Sequence, residues 1–230
     1  MNIQGYQKLS LLDFPGTVAC TVFTGGCNLR CPFCHNASLV ENPRENANQY
    51  EEGFSYLEKR RGILEGVCVS GGEPLLQADL IPFLHAVKDL GYRVKLDTNG
   101  SMPETLRQVL QSGAVDYLAM DIKSGPSSYE KAIGVPFGFD SFRKSIQLIR
   151  SSGIPYEFRT TVVKGIHTLQ DLLEIPQILS PEDPYFLQGF IDSGNLLGNK
   201  GAPFSREEMK TILEEIRKKL PAVKLRGQEE

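Results

Sequence analysis

The sequence predicts an α/β fold in which parallel strands, covered by helices, curve into a partial (β/α)6 barrel. Apolar, β-branched runs alternate with helix-period runs about six times, and such alternation builds parallel strands joined by covering helices. Six units are too few to close an eight-stranded barrel, so a curved, partly open one is expected. The polar, glycine-bearing motifs each follow directly on an apolar run, and the C-terminal ends of strands are where sites assemble in such folds. A chain of 230 residues suits one undivided domain, residues 1–230.

Residues 17–26, TVACTVFTGG, read as a buried strand that delivers its C-terminal end to the loop FTGGCNLRCPFCHN. That loop carries Cys27, Cys31 and Cys34, with gaps of three and then two residues. Thiolates this close can converge on one metal centre, and cysteine sulfur is the ligand of iron–sulfur clusters. Gly25 and Gly26 permit the sharp entry turn and Pro32 stiffens the loop. A closed zinc or cubane site takes four ligands, and here the local supply ends at three. His35 adjoins Cys34, and adjacent residues rarely reach one metal from the same side. One position is therefore expected to stay open, which is how metal sites that do chemistry differ from those that hold a fold.

Residues 41–49 read as polar and irregular, and EEGFSYLEKRR as a helix despite Gly53. Val67–Val69 is a short apolar strand ending in Ser70-Gly71-Gly72-Glu73-Pro74. Alone, that string reads as an ordinary βα turn, although glycines there also let a backbone approach a ligand. Asp79 is placed to cap a helix with Leu80, Phe83, Leu84, Val87 and Leu90 on its apolar face, closed by Gly91. His85 on that helix reads as partly solvated. YRVKLDTNG is strand plus turn, and Asp97 and Asn99 suit a turn through side-chain bonds to nearby backbone. Pro103 suits the first turn of a helix carrying Leu106, Val109 and Leu110 to Gly113. Residues 115–124, VDYLAMDIKS, are the next strand, with Asp121 and Lys123 on one face because they lie two apart.

Asp140 is placed to cap a helix from Ser141 to Ser151, closed by Gly153. Residues 155–163, PYEFRTTVV, form a strand in which Arg159 is a buried cation in need of a partner. Thr168 caps a helix through Leu169, Leu172 and Leu173, interrupted by Pro176, and residues 185–191 are a last barrel-like strand. The clearest helix is SREEMKTILEEIRKKLP: Ser205 and Glu208 have capping-box spacing, and Met209, Ile212, Leu213, Ile216 and Leu220 form a core stripe. AVKLRG can add an edge strand.

A net charge of −3 and a pI near 5.7 leave no electrostatic footprint for general nucleic-acid binding. No apolar run is long enough to span a membrane, and the first residues lack a secretory signal pattern. Five cysteines, three of them clustered, suit metal binding in a reducing cytoplasm better than a disulfide framework. Cys20 and Cys68 lie in apolar runs and read as buried small hydrophobes.

The string CxxxCxxC after an apolar strand resembles the signature of radical S-adenosylmethionine (SAM) enzymes. With CHN following, it resembles the activating enzymes of glycyl-radical enzymes. Within these the likeness is greatest to activating proteins of anaerobic ribonucleoside-triphosphate reductase, with the pyruvate formate-lyase activating enzyme a near relative. It runs from about Gly5 to Ile191. It implies a TIM-like partial barrel, a 4Fe–4S cluster on Cys27, Cys31 and Cys34, and SAM at the vacant iron. It further implies cofactor contacts at Phe33 and His35, at Gly71, Gly72 and Glu73, at Asp97, Thr98 and Asn99, at Asp121 and Lys123, and at Arg159. Asp97 and Thr98 would also bind a monovalent cation. The partners implied are a glycyl-radical enzyme as protein substrate and a flavodoxin- or ferredoxin-like one-electron donor, in an anaerobic setting. The stretch from Glu41 to Gly66 has no cysteine, as in activases of the minimal type without extra clusters.

One departure from the relative is plain. The pyruvate formate-lyase activating enzyme has a histidine near the last strand's end, whereas this chain has only His35, His85 and His167. Gln188 or Asp192 stands in that place, or the contact is absent, and the likeness leans to the reductase branch. Two other readings compete: a radical SAM enzyme acting on a small nucleoside-type substrate, which CHN argues against, and a non-catalytic zinc or iron–sulfur module, which would need a fourth ligand from Cys20, Cys68 or a distant histidine.

Overall fold

The computed structural model describes residues 1–41, 47–192, 194–198 and 201–227, with only the backbone of 47 and 48. Its strands form one eight-stranded sheet in chain order. The chain runs β1 (Ile3–Ser10), β2 (Ala19–Thr24), α1 (Ala37–Glu41), α2 (Ala47–Lys59), β3 (Gly66–Gly71), α3 (Leu80–Asp89), β4 (Arg93–Thr98), α4 (Pro103–Gln111) and β5 (Tyr117–Asp121). It continues through α5 (Tyr129–Ile133), α6 (Asp140–Ser151), β6 (Tyr156–Val162), α7 (Leu169–Leu172), β7 (Tyr185–Gly189), α8 (Arg206–Arg217) and β8 (Lys224–Arg226). Neighbouring strands from β2 to β8 pair in parallel, and β1 alone is antiparallel, against β2. β1 and β8 end the sheet without pairing to each other, so the barrel is partial, as the alternation predicts.

Period-two alternation sorts each strand into two faces. Val67 and Val69, Val94 and Leu96, Leu118 and Met120, Phe158 and Val162, and Tyr185 and Leu187 are fully buried and join the apolar core with Leu84, Val109, Ile149 and Ile216 of the helices. The intervening positions meet one another across the inner face by hydrogen bonds and ion pairs: Cys68 and Ser70, Lys95 and Asp97, Asp121, and Glu157 and Arg159. The inner face of this barrel is therefore ionic.

The caps divide. Thr168 and Ser205 form the expected capping boxes, with Asp171 and Glu208. Asp79 precedes α3 but makes no side-chain cap bond, because its carboxylate pairs with the Met1 amine. Asp140 lies inside the first turn of α6, where its charge favours the helix dipole, and Phe139 holds the cap position. The helix expected over 51–61 begins earlier, at Ala47, so 47–49 are helical and not irregular, while 42–46 lie outside the described residues. β1 is not legible as a strand because Gln7, Lys8 and Leu9 are all exposed and two irregularities break its register.

Candidate active site

Four neighbours fix the cysteine loop. Gly72 N donates to Thr24 O at 2.9 Å and Glu73 N to Gly26 O at 2.8 Å, binding the β3 turn to the end of β2. Gly26 N donates to Leu39 O in α1 at 2.7 Å, and Arg30 N to Ile133 O at the end of α5 at 2.8 Å. Leu197 N donates to Cys34 O at 3.1 Å and Gly198 N to Pro32 O at 2.9 Å, so the chain after β7 covers the loop's far side. Gly72 is required by contact alone: a Cβ there would lie 1.9 Å from Gly26 O.

The loop and the ends of β3 to β7 enclose a cavity of about 240 Å³. Cys27, Cys31 and Cys34 all line it, as do Phe33 and His35 of the same loop, Gly71, Gly72, Asp97, Thr98 and Asn99, Asp121 and Lys123, and Arg159. Of the residues expected at the site, Glu73 stands behind this wall. Its wholly buried carboxylate accepts Asn99 N at 2.7 Å, Thr98 Oγ1 at 2.8 Å and Leu75 N at 3.1 Å. Burial pushes its pKa up to about 7 against the pull of those hydrogen bonds.

The charged wall is tightly paired. Asp97 accepts Ser70 Oγ at 3.1 Å and Arg159 Nη1 at 3.3 Å, and its other oxygen holds the Lys95 ammonium. Asp121 accepts Arg159 Nε at 2.8 Å and Lys123 Nζ at 3.0 Å. Burial would raise both carboxyls, but the Arg159 guanidinium, with Lys95 at Asp97 and Lys123 at Asp121, holds them below the usual range. Thr98 points to the opposite face from Asp97, and its hydroxyl is engaged with Glu73 and Gly100 N. Neither expected cation ligand therefore has a side-chain oxygen turned to an unshared position.

Several residues at or beside the cavity are not among those expected from the sequence. Thr161 of β6 lines the cavity, and Gln188 of β7, offered only as a stand-in for a histidine, lines it too. His167, assigned no role, is buried: its Nε2 bonds to Lys123 O at 2.7 Å, Val163 N donates to its Nδ1 at 3.0 Å, and Phe33 meets its ring edge-on. Nothing in the sequence signals that contact. Lys95 was signalled, since it lies two residues before Asp97 and so shares its face.

Among the described residues no three of His, Cys, Asp and Glu close in as ligands of one metal ion. The three thiols instead border a shared space, as ligands of different irons in one cluster must. Two donors face Cys27 Sγ: Leu29 N at 3.4 Å and Asn99 Nδ2 at 3.8 Å. Hydrogen bonds to cysteine sulfur stabilise the thiolate and tune an iron–sulfur cluster. The donor set thus fits an iron–sulfur group with thiolate ligands.

The family model described as the radical SAM superfamily matches residues 21–175, from β2 through the last residue before Pro176. This chain belongs to the radical SAM superfamily. It is an enzyme of that superfamily, and membership implies a 4Fe–4S cluster and SAM, which the donor set accommodates. A Methanocaldococcus jannaschii protein named "Putative glycyl-radical enzyme activating enzyme" is 29% identical over 193 residues, covering 82% of this chain and 79% of its own length. The pyruvate formate-lyase-activating enzyme of Clostridium pasteurianum is 31% identical over 155 residues, 64% of each chain. That of Listeria monocytogenes is 34% identical over 132 residues, 53% of each chain, so this chain spans about half of that relative. Streptococcus suis SuiB bound to S-adenosylmethionine shares the fold, with a TM-score of 0.68 over 88% of this chain and 48% of that one, at 15% identity. Among the described residues no helix is long and apolar enough to cross a membrane.

Proposed function

We propose that this radical SAM enzyme activates a glycyl-radical enzyme, and that its partner is an anaerobic ribonucleoside-triphosphate reductase. The observation that carries the reading is the cavity lining: three thiols from one loop face the ends of five strands, and among the described residues no fourth cysteine joins them. The names of the relatives from Methanocaldococcus jannaschii, Listeria monocytogenes and Clostridium pasteurianum support the activase class. The reductase branch draws support from Gln188, which lines the cavity where the pyruvate formate-lyase relative would carry a histidine.

When bound, the cluster and SAM supply a 5′-deoxyadenosyl radical that takes a hydrogen from a glycine Cα of the partner. The chain's own residues bind, orient and exclude water. Cys27, Cys31 and Cys34 would hold the cluster. Gly71 and Gly72 would let backbone approach the amino end of SAM, and Lys123 and Arg159 would offer positive charge to its carboxylate. Asn99 ties the DTNG turn to Cys27, which would hold that turn and the cluster in one frame. Phe33 and His35, which line the cavity from the cysteine loop itself, would contact the remainder of the ligand. A flavodoxin- or ferredoxin-like donor in an anaerobic cytoplasm completes the proposal.

The test is anaerobic reconstitution with iron and sulfide, followed by SAM and dithionite. Release of 5′-deoxyadenosine is expected, and its absence would overturn the SAM chemistry. Addition of the reductase should then yield a glycyl doublet by EPR. Turnover without that doublet would overturn the partner assignment and favour a small-molecule substrate.

A further inference from the structure

Barrels of this general kind are usually filled by layers of branched apolar side chains. Below the cavity of this one lies a connected set of charges. Lys95 of β4 has no exposed surface, its ammonium sits on Asp97 Oδ1, and Cys68 Sγ is 3.8 Å away. Arg159 joins Asp97 to Asp121, and its Nη1 is 3.8 Å from Glu157 Oε1. Glu157 is itself clamped by Arg226 of β8, at 2.8 Å and 2.6 Å. Lys123 pairs with Asp121. Three carboxylates, Asp97, Asp121 and Glu157, are thus met by four cations, Lys95, Lys123, Arg159 and Arg226.

Counted over these ion pairs, cations exceed carboxylates by one in and just beneath the wall of a cavity, and the buried Glu73 carboxylate behind that wall acts on Lys123 from farther off. A buried charge is costly unless something offsets it, and Asp97 faces two cations, Lys95 and Arg159, the second of which it shares with Asp121 and Glu157. An anionic group arriving in the cavity completes the balance. Without the Lys95 ammonium the set would be neutral, and the Oδ1 face of Asp97 would be an anion with an unfilled neighbour, the setting that draws in a small inorganic cation.

We propose that Lys95 is a built-in counter-cation of the cofactor cavity: at Asp97 it supplies the positive charge that a monovalent metal ion would otherwise have to supply, so ligand binding takes up neither K⁺ nor Na⁺. Lys95 does not line the cavity, so it is a positioning residue that acts through Asp97 and Arg159. The inference rests on the reading of the cavity as a SAM site only for the identity of the ligand.

The experiment compares salts at equal ionic strength. SAM affinity of the reconstituted protein is measured by calorimetry in KCl, NaCl and tetramethylammonium chloride, whose cation is too large to enter. Wild-type affinity is expected to change by less than about twofold between them. Lys95→Met should bind SAM about tenfold more weakly in tetramethylammonium chloride and recover much of the loss in KCl. Lys95→Ala should recover with n-propylammonium chloride, which replaces the missing atoms. A second readout needs no cofactor: the melting temperature of the metal-free Lys95→Met protein should rise in KCl relative to tetramethylammonium chloride, while that of the wild type should not. A wild-type protein that needs K⁺ or Na⁺ to bind SAM would overturn the proposal, as would a Lys95→Met protein indifferent to salt in both readouts. If neither variant folds, the wild-type salt series decides by itself. Failure of the wild type to bind SAM in every salt counts against the proposed function, and the melting series then still decides the role of Lys95.

Discussion

The Glu73 carboxylate accepts the Asn99 amide at 2.7 Å, fastening the turn after β3 to the turn after β4. Thr98 Oγ1 adds a second bond across the same gap at 2.8 Å. The cavity therefore owes part of its shape to a side chain outside its lining, and the glutamate of the SGGEP string acts here as a brace.

That brace has a pH signature. Burial raises the Glu73 carboxyl from 4.5 to about 7. For a group whose folded value is raised, the contribution to stability is full below the unfolded value and is lost as pH rises through the folded one. Between pH 4.5 and about 7 this group should therefore lower the unfolding free energy by on the order of 3 kcal/mol. Glu73→Gln removes the titration and sets an NH2 group against a backbone donor, at a cost of about 1–3 kcal/mol at low pH. Urea denaturation of both proteins across that range provides the check. Parallel pH profiles for the two would mean that Glu73 does not titrate in this window.

Arg159 ties together two carboxylates that no other single residue bridges among the described residues. Arg159→Met should cost on the order of 3–5 kcal/mol, since it strands Asp97 and Asp121 inside the barrel with one cation each. Arg159→Lys keeps the charge but lacks the fork that reaches both, and should fall between the two. Chemical denaturation reads the stability, and SAM calorimetry on the reconstituted proteins should show weaker binding in the same order. Equal stability for wild type and Arg159→Met would rule out this network as a structural element.

The parallel strands, the closing helix α8 and the cysteine loop were legible because their signals are local. An apolar run, a capping pair such as Ser205 with Glu208, and three cysteines on one loop need no knowledge of the rest of the fold. Other features depend on pairings distant in sequence. β1 is a strand because β2 offers it an edge, and its own exposed Gln7, Lys8 and Leu9 carry no period. Asp79 was a plausible cap until the Met1 amine claimed its carboxylate. Strand register, absent from any local pattern, sets Asp121 opposite Arg159, and β4 alternation puts Lys95 beside Asp97. The role of His167 depends on its contact with a carbonyl 44 positions earlier.

The two glycines of the SGGEP turn differ from most others in the chain because backbone lies against them. A Cβ on Gly72 would meet Gly26 O at 1.9 Å, and neither partner is a flexible side-chain end. Gly72→Ala should push the turn away from the cysteine loop, costing about 1–3 kcal/mol and weakening SAM binding. Gly138→Ala, with nothing within 4 Å and no left-handed backbone, should change stability by less than about 0.5 kcal/mol. Paired denaturation curves test both. A Gly72→Ala protein as stable as wild type would show that the two turns can separate freely.

Five cysteines make the ligand assignment testable by elimination. Cys27, Cys31 and Cys34 line the cavity, whereas Cys20 and Cys68 have no exposed surface and lie outside its lining. Burial pushes the Cys20 thiol up to about 12 and raises Cys68, but it raises Cys27 and Cys31 too, so position at the cavity and not acidity separates the two sets. Alanine at Cys27, Cys31 or Cys34 should abolish the visible absorbance of the anaerobically reconstituted protein and most of its bound iron. Alanine at Cys20 or Cys68 should leave iron content unchanged and only loosen the packing. Cys68 is the sharper control, because it lies on the inner face beside Lys95, beneath the cavity. Loss of iron on Cys68→Ala, with the melting transition intact, would place a fourth thiolate on the cluster and leave no iron open for SAM.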